Sequence, residues 1–221
     1  TDLNIDVFNI KSNLPTSTYL AIHDSDGDLK VAICASDIYD QMKVEQIEPY
    51  INVLRNQKKI VIDTNLNQQI IDYLFMRLPN TEFYVEGVSA NKITRIKEHL
   101  DKIQLLKCNI IEARHLLNKE ANAELLVNTL LSKGVKKVVI SQGSDPIYIG
   151  EKDFIEPISV PKVNKIINTS GSGDGLFAGI IHELHQGKSL KEAVLFGIKV
   201  SQVILQSPIS TSKDLAKLVS K

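Results

Sequence analysis

The sequence predicts an α/β protein built around a mostly parallel sheet, and three observations carry that expectation. Short β-branched runs, Ile60-Val61-Ile62 and Val138-Val139-Ile140, read as buried strands. Such runs alternate with helical patterns, the rhythm of right-handed crossover units. Near the C-terminus a small-residue turn, Asn168 to Gly175, opens into a helix. Leu176, Ile180 and Leu184 form one row of that helix, with Phe177 and Ile181 beside it. The 221 residues suffice for a real core, so one domain over residues 1–221 with a small appendage is expected.

Taken in order, Thr1 to Pro15 is a polar connection with a short apolar stretch, Val7 to Ile10. Thr18 to Ile22 and Leu29 to Ile33 flank Asp24-Ser25-Asp26-Gly27-Asp28, the pattern of a β-hairpin with an acidic turn. A calcium loop is rejected because Gly falls too early and Ala35 stands where a bidentate Glu belongs. Val44 to Arg55 predicts a helix, and Ile60 to Asp63 a buried strand ending in Asp. Asp63-Thr64-Asn65 then sits at a strand's carboxyl end, where α/β sheets bind ligands. A helix over Gln68 to Arg77 is stopped by Pro79, Phe83 to Glu86 is the next strand, and a helix follows near Asn91 to His99.

Leu105 to Cys108 leads into Asn109-Ile110-Ile111-Glu112, which reads as a capping box. A helix over Asn122 to Ser132 ends at Gly134, and Val138 to Ser141 is a buried strand followed by the turn at Gly143. Ile147 to Ile149 and Phe154 to Pro157 form a hairpin at the sheet's edge, where Pro157 and Pro161 are tolerated. Gly187 ends the helix that follows the Gly-rich turn. Ser189 and Glu192 cap the next one, which carries Ala193, Gly197 and Ser201 at four-residue spacing. That smooth stripe admits either a packed helix or an adenine ring. Ser212 starts a last helix through Val219.

Twenty-six basic and 26 acidic residues cancel, which gives no electrostatic footprint for nucleic acid or membrane. There is no apolar run long enough to span a bilayer and no signal peptide at Thr1, so a cytoplasmic protein is expected. Cys34 and Cys108 are too few for a disulfide framework and are expected as reduced interior thiols. His182 and His185 lie three apart but lack a third metal ligand nearby.

The chemistry concentrates in the Gly-rich turn. Its backbone N–H groups lie at the positive end of a helix dipole, a seat for phosphate. Asp174, in the first helical turn, stands beside that anion and repels it. A carboxylate there is accounted for if it takes a proton from a hydroxyl attacking phosphorus. An ordinary Gly-rich loop with Asp at a favoured helix start is the alternative.

The whole run Asn168-Thr169-Ser170-Gly171-Ser172-Gly173-Asp174, continued by Ala178-Gly179, resembles the C-terminal signature of the ribokinase-like (PfkB) carbohydrate kinases. The resemblance implies a three-layer αβα fold with a mostly parallel sheet and a small β lid over about residues 16–36. It also implies an anion hole at Gly171, Ser172 and Gly173, with Asp174 as general base. Asn109 and Glu112 resemble the family's Asn-x-x-Glu motif, which places Mg²⁺ and its water shell against the nucleotide. Ser141 and Gly143 resemble its Thr-x-Gly turn near the phosphates, with Ser for Thr, and Gly197 and Ser201 would lie against adenine. ATP and Mg²⁺ are the implied cofactors, with a monovalent cation left open. The implied partners are a sugar or nucleoside, toward which Thr18, Asp63 and Asn65 would face, and a second copy meeting through the lid.

Further stretches, including Pro15 to Ile22, Asp37 to Asp40, Val61 to Leu66 and Val88-Ser89-Ala90-x-Lys92, are similar to the pseudouridine kinase branch. That branch phosphorylates the ribose 5′-hydroxyl. The alternatives are a ribokinase- or fructokinase-like sugar kinase, or a non-catalytic relative that binds nucleotide or sugar. Members of the family begin with a further N-terminal portion of roughly eighty or more residues. The chain starts after that region, so it is expected to be incomplete at the N-terminus and poorly stable or inactive by itself.

Overall fold

The computed structural model describes residues 7–23, 29–152 and 154–219. Strands β1 (Thr18–His23) and β2 (Leu29–Ala35) pair antiparallel as a separate two-stranded hairpin. The acidic turn Asp24 to Asp28, and with it the question of a calcium loop, lies outside the described residues. Leu20 opposes Ile33 and Ile22 opposes Val31, and all four side chains are exposed. Cys34 is exposed on the same hairpin, against the expectation of an interior thiol, because no second layer of described residues covers these strands; Cys108 is buried as expected.

Helices α1 (Asp37–Asp40), α2 (Val44–Ile47) and α3 (Ile51–Arg55) follow. The single helix expected over Val44 to Arg55 is interrupted by a 3-10 turn at Glu48–Tyr50, where Pro49 lacks the N–H that would continue the ladder. The chain then alternates β3 (Lys59–Asp63), α4 (Gln68–Arg77), β4 (Glu82–Glu86), a 3-10 helix over Lys92–Lys102, and β5 (Ile103–Asn109). Next come α5 (Ile110–Leu117), α6 (Ala123–Ser132), β6 (Lys137–Gln142), β7 (Asp145–Glu151) and β8 (Phe154–Ile158). The remainder is helical: α7 (Ser172–His185), α8 (Leu190–Leu205), a 3-10 turn at Lys213–Leu215 and α9 (Ala216–Val219). None of the described helices is long and apolar enough to cross a membrane.

The sheet has the order β3-β4-β5-β6-β7-β8. Its first four strands are parallel, and β7 and β8 add an antiparallel hairpin at one edge, as the sequence predicts. Strand alternation assigns two cores to two faces. Phe83, Val85, Ile103, Leu106, Cys108, Val138 and Ile140 pack under α4, the long 3-10 helix, α5 and α6. Tyr84, Leu105, Val139, Ile147 and Ile149 pack under α7 and α8. The result is a three-layer αβα arrangement.

Two elements depart from expectation. The helix near Asn91 to His99 is a long 3-10 helix. Its inward residues Ile93 and Ile96 are three apart, and His99, one step further, stacks on Phe75 at 4.6 Å. The buried side chains Ile93, Ile96 and Leu100 fit an α stripe as well as a 3-10 one, so their spacing does not choose between the two. Strand β3 is half-covered rather than buried: Ile62 points into the first core, but Val61 points to the other face and stays 53% exposed. β3 is the sheet's other edge, and α7 and α8 pack against its neighbours.

Candidate active site

The four parallel strands bring their carboxyl ends to one rim, and register sets the order of side chains along it. Asp63 of β3 pairs with Glu86 of β4, Glu86 with Lys107 of β5, and Asn109 of β5 with Ser141 of β6. The mouth of α7 opens beside this row. Gly171 is its N-cap with φ +84°, and a Cβ there would lie 2.4 Å from the Ser210 carbonyl. Both the left-handed backbone and the close approach require glycine.

The turn is held from within. The Asn168 side chain accepts from the Ser170 N–H at 2.9 Å, and the Ser172 hydroxyl donates to the Thr169 carbonyl at 2.8 Å. The Ser172 N–H is also spent on Thr169 O, at 3.3 Å, and the Gly175 N–H on Gly171 O, at 2.9 Å. That narrows the expected anion hole. Ser172 braces the turn, and the Gly173 and Asp174 amides, two of the first-turn donors that a helix leaves without an internal partner, are the ones available to a ligand. The Asp174 side chain is exposed at this mouth.

Beneath the mouth lies a pair that sequence reasoning missed. The Lys107 ammonium donates to Glu86, and both side chains are buried. A Cβ on Gly173 would come within 2.9 Å of Lys107 Nζ. Burial pushes the Glu86 carboxyl up to about 8 against the pull of Lys107, and the charges of Asp174 and Glu112 push the same way as burial. The visible signal was a charge at the end of each of two apolar runs, Phe83-Tyr84-Val85-Glu86 and Leu105-Leu106-Lys107-Cys108. A central strand covered on both faces has no solvent for such a side chain.

Asn109 and Glu112 form the expected capping box. The Asn109 side chain accepts from the Glu112 N–H, and the Glu112 carboxylate from the Asn109 N–H, each at 2.9 Å. Glu112 is buried, and burial raises its carboxyl while the Asn109 hydrogen bonds and Lys107 lower it. One carboxylate oxygen carries the cap, which leaves acceptor capacity for a hard cation or its waters. Among the described residues no three acidic, His or Cys side chains gather into a metal cluster, His182 and His185 included. Mg²⁺ is typically held through one or two carboxylates, water and substrate phosphate, and Glu112 is the carboxylate here that could serve it. Ser141 donates weakly to the Cys108 carbonyl at 3.5 Å, and Gly143, with φ +65°, turns through open space.

The remaining expected site residues divide. Asp63 accepts from the Asn65 N–H at 2.9 Å and from its side-chain amide at 3.0 Å. Lys92 donates to Asn65 Oδ1 at 2.7 Å and to Ser36 at 3.4 Å. Arg95 donates to the carbonyls of Thr64, Asn65 and Leu66 and pairs with Asp40 at 2.7 Å. These cations tie the loop after β3 to the foot of the hairpin. Thr18 lies exposed at the start of β1, opposite Ala35. Gly197 is taken up by helix packing: a Cβ there would meet the Leu176 carbonyl at 2.5 Å, and Gly179 faces its Cα. The stripe serves the α7–α8 contact at Gly197, while Ser201 remains half-buried.

Comparison with known proteins identifies the family. The model of the pfkB family of carbohydrate kinases matches residues 1–216. Pseudouridine kinase of Escherichia coli (strain K12) is 26% identical over 205 residues, covering 91% of this chain and 66% of the relative. An uncharacterized sugar kinase of the same organism is 24% identical, covering 85% and 53% respectively. A carbohydrate kinase structure from Agrobacterium tumefaciens superimposes with a TM-score of 0.78 at 21% identity, over 95% of this chain and 69% of that one. The chain thus spans about half to two thirds of the length of these curated relatives.

Proposed function

The chain belongs to the pfkB carbohydrate kinase family, and on that premise we propose that it carries the phosphoryl-transfer end of an ATP-dependent sugar or nucleoside kinase. The observation that carries this reading is the mouth of α7. There two amides without a protein acceptor among the described residues meet an exposed carboxylate at the rim of the parallel strands.

In this reading the acceptor hydroxyl approaches Asp174, which takes its proton as the bond to phosphorus forms. The Gly173 and Asp174 N–H groups hold the charge that spreads over the phosphoryl oxygens, a role that fixed dipoles fill without reorganising. Glu112, oriented by its hydrogen bonds with Asn109, would hold Mg²⁺ through water, and Ser141 and Gly143 would border the phosphates. The ion, when bound, neutralises phosphate charge. Asp63 and Asn65, fixed by Lys92 and Arg95, form the surface that would meet the acceptor.

Pseudouridine is the acceptor we propose, supported by the 26% identity to a pseudouridine kinase over most of this chain. The hairpin would act as a lid and pair with a second copy, a role its exposed Leu20, Ile22, Val31 and Ile33 support. A cytoplasmic setting agrees with the free thiols Cys34 and Cys108. The test is a screen of pseudouridine, ribose, fructose and common nucleosides with ADP release as readout, in the intact protein. Highest turnover with pseudouridine is expected. Nucleotide binding without turnover on any acceptor would favour a non-catalytic relative instead.

A further inference from the structure

Lys107 and Glu86 have no part in the transfer steps just described, yet they occupy the space directly under them. They are register partners on neighbouring central strands, on the face covered by α7. Their side chains are only 6% and 9% exposed. The fold gives little reason for them. Replacing a buried ion pair by well-packed apolar side chains is often neutral or stabilising, because two charges have to leave water. Nor is the pair self-contained. Glu86 Oε2 is buried with no hydrogen-bond partner among the described residues. An ammonium has three donors, and Glu86 takes one. Gly173 closes over both groups, since a Cβ there would sit 2.9 Å from Lys107 Nζ and 3.8 Å from Glu86 Oε1. A side chain at position 173 would push the lysine away from the mouth.

We propose that Lys107 is a positioning residue for the phosphoryl group: Glu86 lodges its charge beneath Gly173, where it braces the loop and draws in an anion. Two carboxylates, Asp174 and Glu112, stand near the same place and repel phosphate. The lysine is the buried cation on the protein side of the loop that offsets them. Its field acts through a water-poor region, so it is far stronger than that of a surface lysine. Glu86 serves as the tether that keeps the ammonium at this height. This rests on the kinase reading above, and it adds a group that neither the loop signature nor the Asn-x-x-Glu motif contains.

The test removes both charges together, so that neither is stranded: Lys107→Met with Glu86→Leu in the intact protein. Thermal unfolding checks that the variant folds, and calorimetry measures affinity for Mg·ATP and for AMP. AMP affinity is expected to hold within about twofold. Mg·ATP affinity should fall at least about tenfold, and kcat about 100-fold, in line with the loss of one charge-stabilising group. An unchanged ratio of ATP to AMP affinity overturns the proposal, even if turnover drops. A parent protein that binds Mg·ATP no better than AMP would defeat the kinase reading itself, and the role of the pair with it. If the apolar variant does not fold, Lys107→Gln with Glu86→Gln keeps the shape without charge, and the same ratio decides.

Discussion

Two lysine–glutamate pairs bridge neighbouring strands of the sheet, at opposite ends of it. Lys137 and Glu151 are register partners where β6 begins, with side chains 23% and 30% exposed. Lys107 and Glu86 are register partners near the carboxyl ends of β5 and β4, and are almost sealed from water. The chemistry is the same and the cost is not. At the first site water and ions share the stabilisation, so the pair contributes little and little is lost without it. At the second, burial penalises the charged form of either group, and only the partner and the ligand can compensate. A buried charge at the carboxyl rim therefore points to function, where an exposed one at the amino end points to solubility.

The largest expected effect separates the two ends by stability. Glu86→Leu alone leaves the Lys107 ammonium buried without its partner and should cost about 3 kcal/mol in denaturant unfolding. A loss well below that would mean that the rim is wetter than described.

The inner pair also has a pH signature. Glu86 titrates near 8 in the folded chain against 4.5 as its ordinary value, and the groups facing it are Lys107, Asp174 and Glu112. Between those values the folded chain keeps a proton that the unfolded chain has released. Stability from this group is full below 4.5 and is lost as pH rises through 8. Glu86→Gln should flatten the fall in unfolding free energy over that window, and an unaltered slope would remove Glu86 as its source.

A smaller contrast uses two capping boxes of the same design. Asn109→Ala and Ser189→Ala each remove an N-cap and should each cost about 1 kcal/mol. Only Asn109→Ala should also raise the Mg²⁺ concentration needed for half-maximal turnover, because Asn109 holds Glu112 at the rim. The smallest effect is expected at the outer pair: Lys137→Met should change stability by less than about 1 kcal/mol and leave turnover alone.

The sequence made the local grammar legible and left the neighbours out of sight. Helix α4 was readable over Gln68 to Arg77 with Pro79 as its stop, and the structure adds its cap at Asn67 and its buried face at Ile70, Ile71 and Leu74. The two capping boxes, the edge hairpin at β7 and β8, and the turn into α7 were readable for the same reason. What depended on a third element was not. Val61 looks like an interior residue until one sees that no described helix covers its side. Ile93 and Ile96 fit an α stripe and a 3-10 stripe alike. Gly197 suited a ring or a helix, and its close approach to Gly179 was not visible in the sequence. Within the candidate site, Asp174 and the glycines follow from the motif, whereas the internal use of the Ser172 amide shows only in the folded turn and the Glu86–Lys107 pair only once strands lie side by side.

The account depends on the mouth of α7 moving a phosphoryl group while Asp174 receives the acceptor's proton. The most direct measurement compares the parent with Asp174→Asn in the intact protein, following ADP release with the best acceptor and Mg·ATP affinity by calorimetry. The predicted result is a kcat lower by about 1,000-fold with Mg·ATP affinity held or improved, since a repelling carboxylate has gone. Turnover within about threefold of the parent would contradict the assignment of Asp174 as base and the transfer built on it.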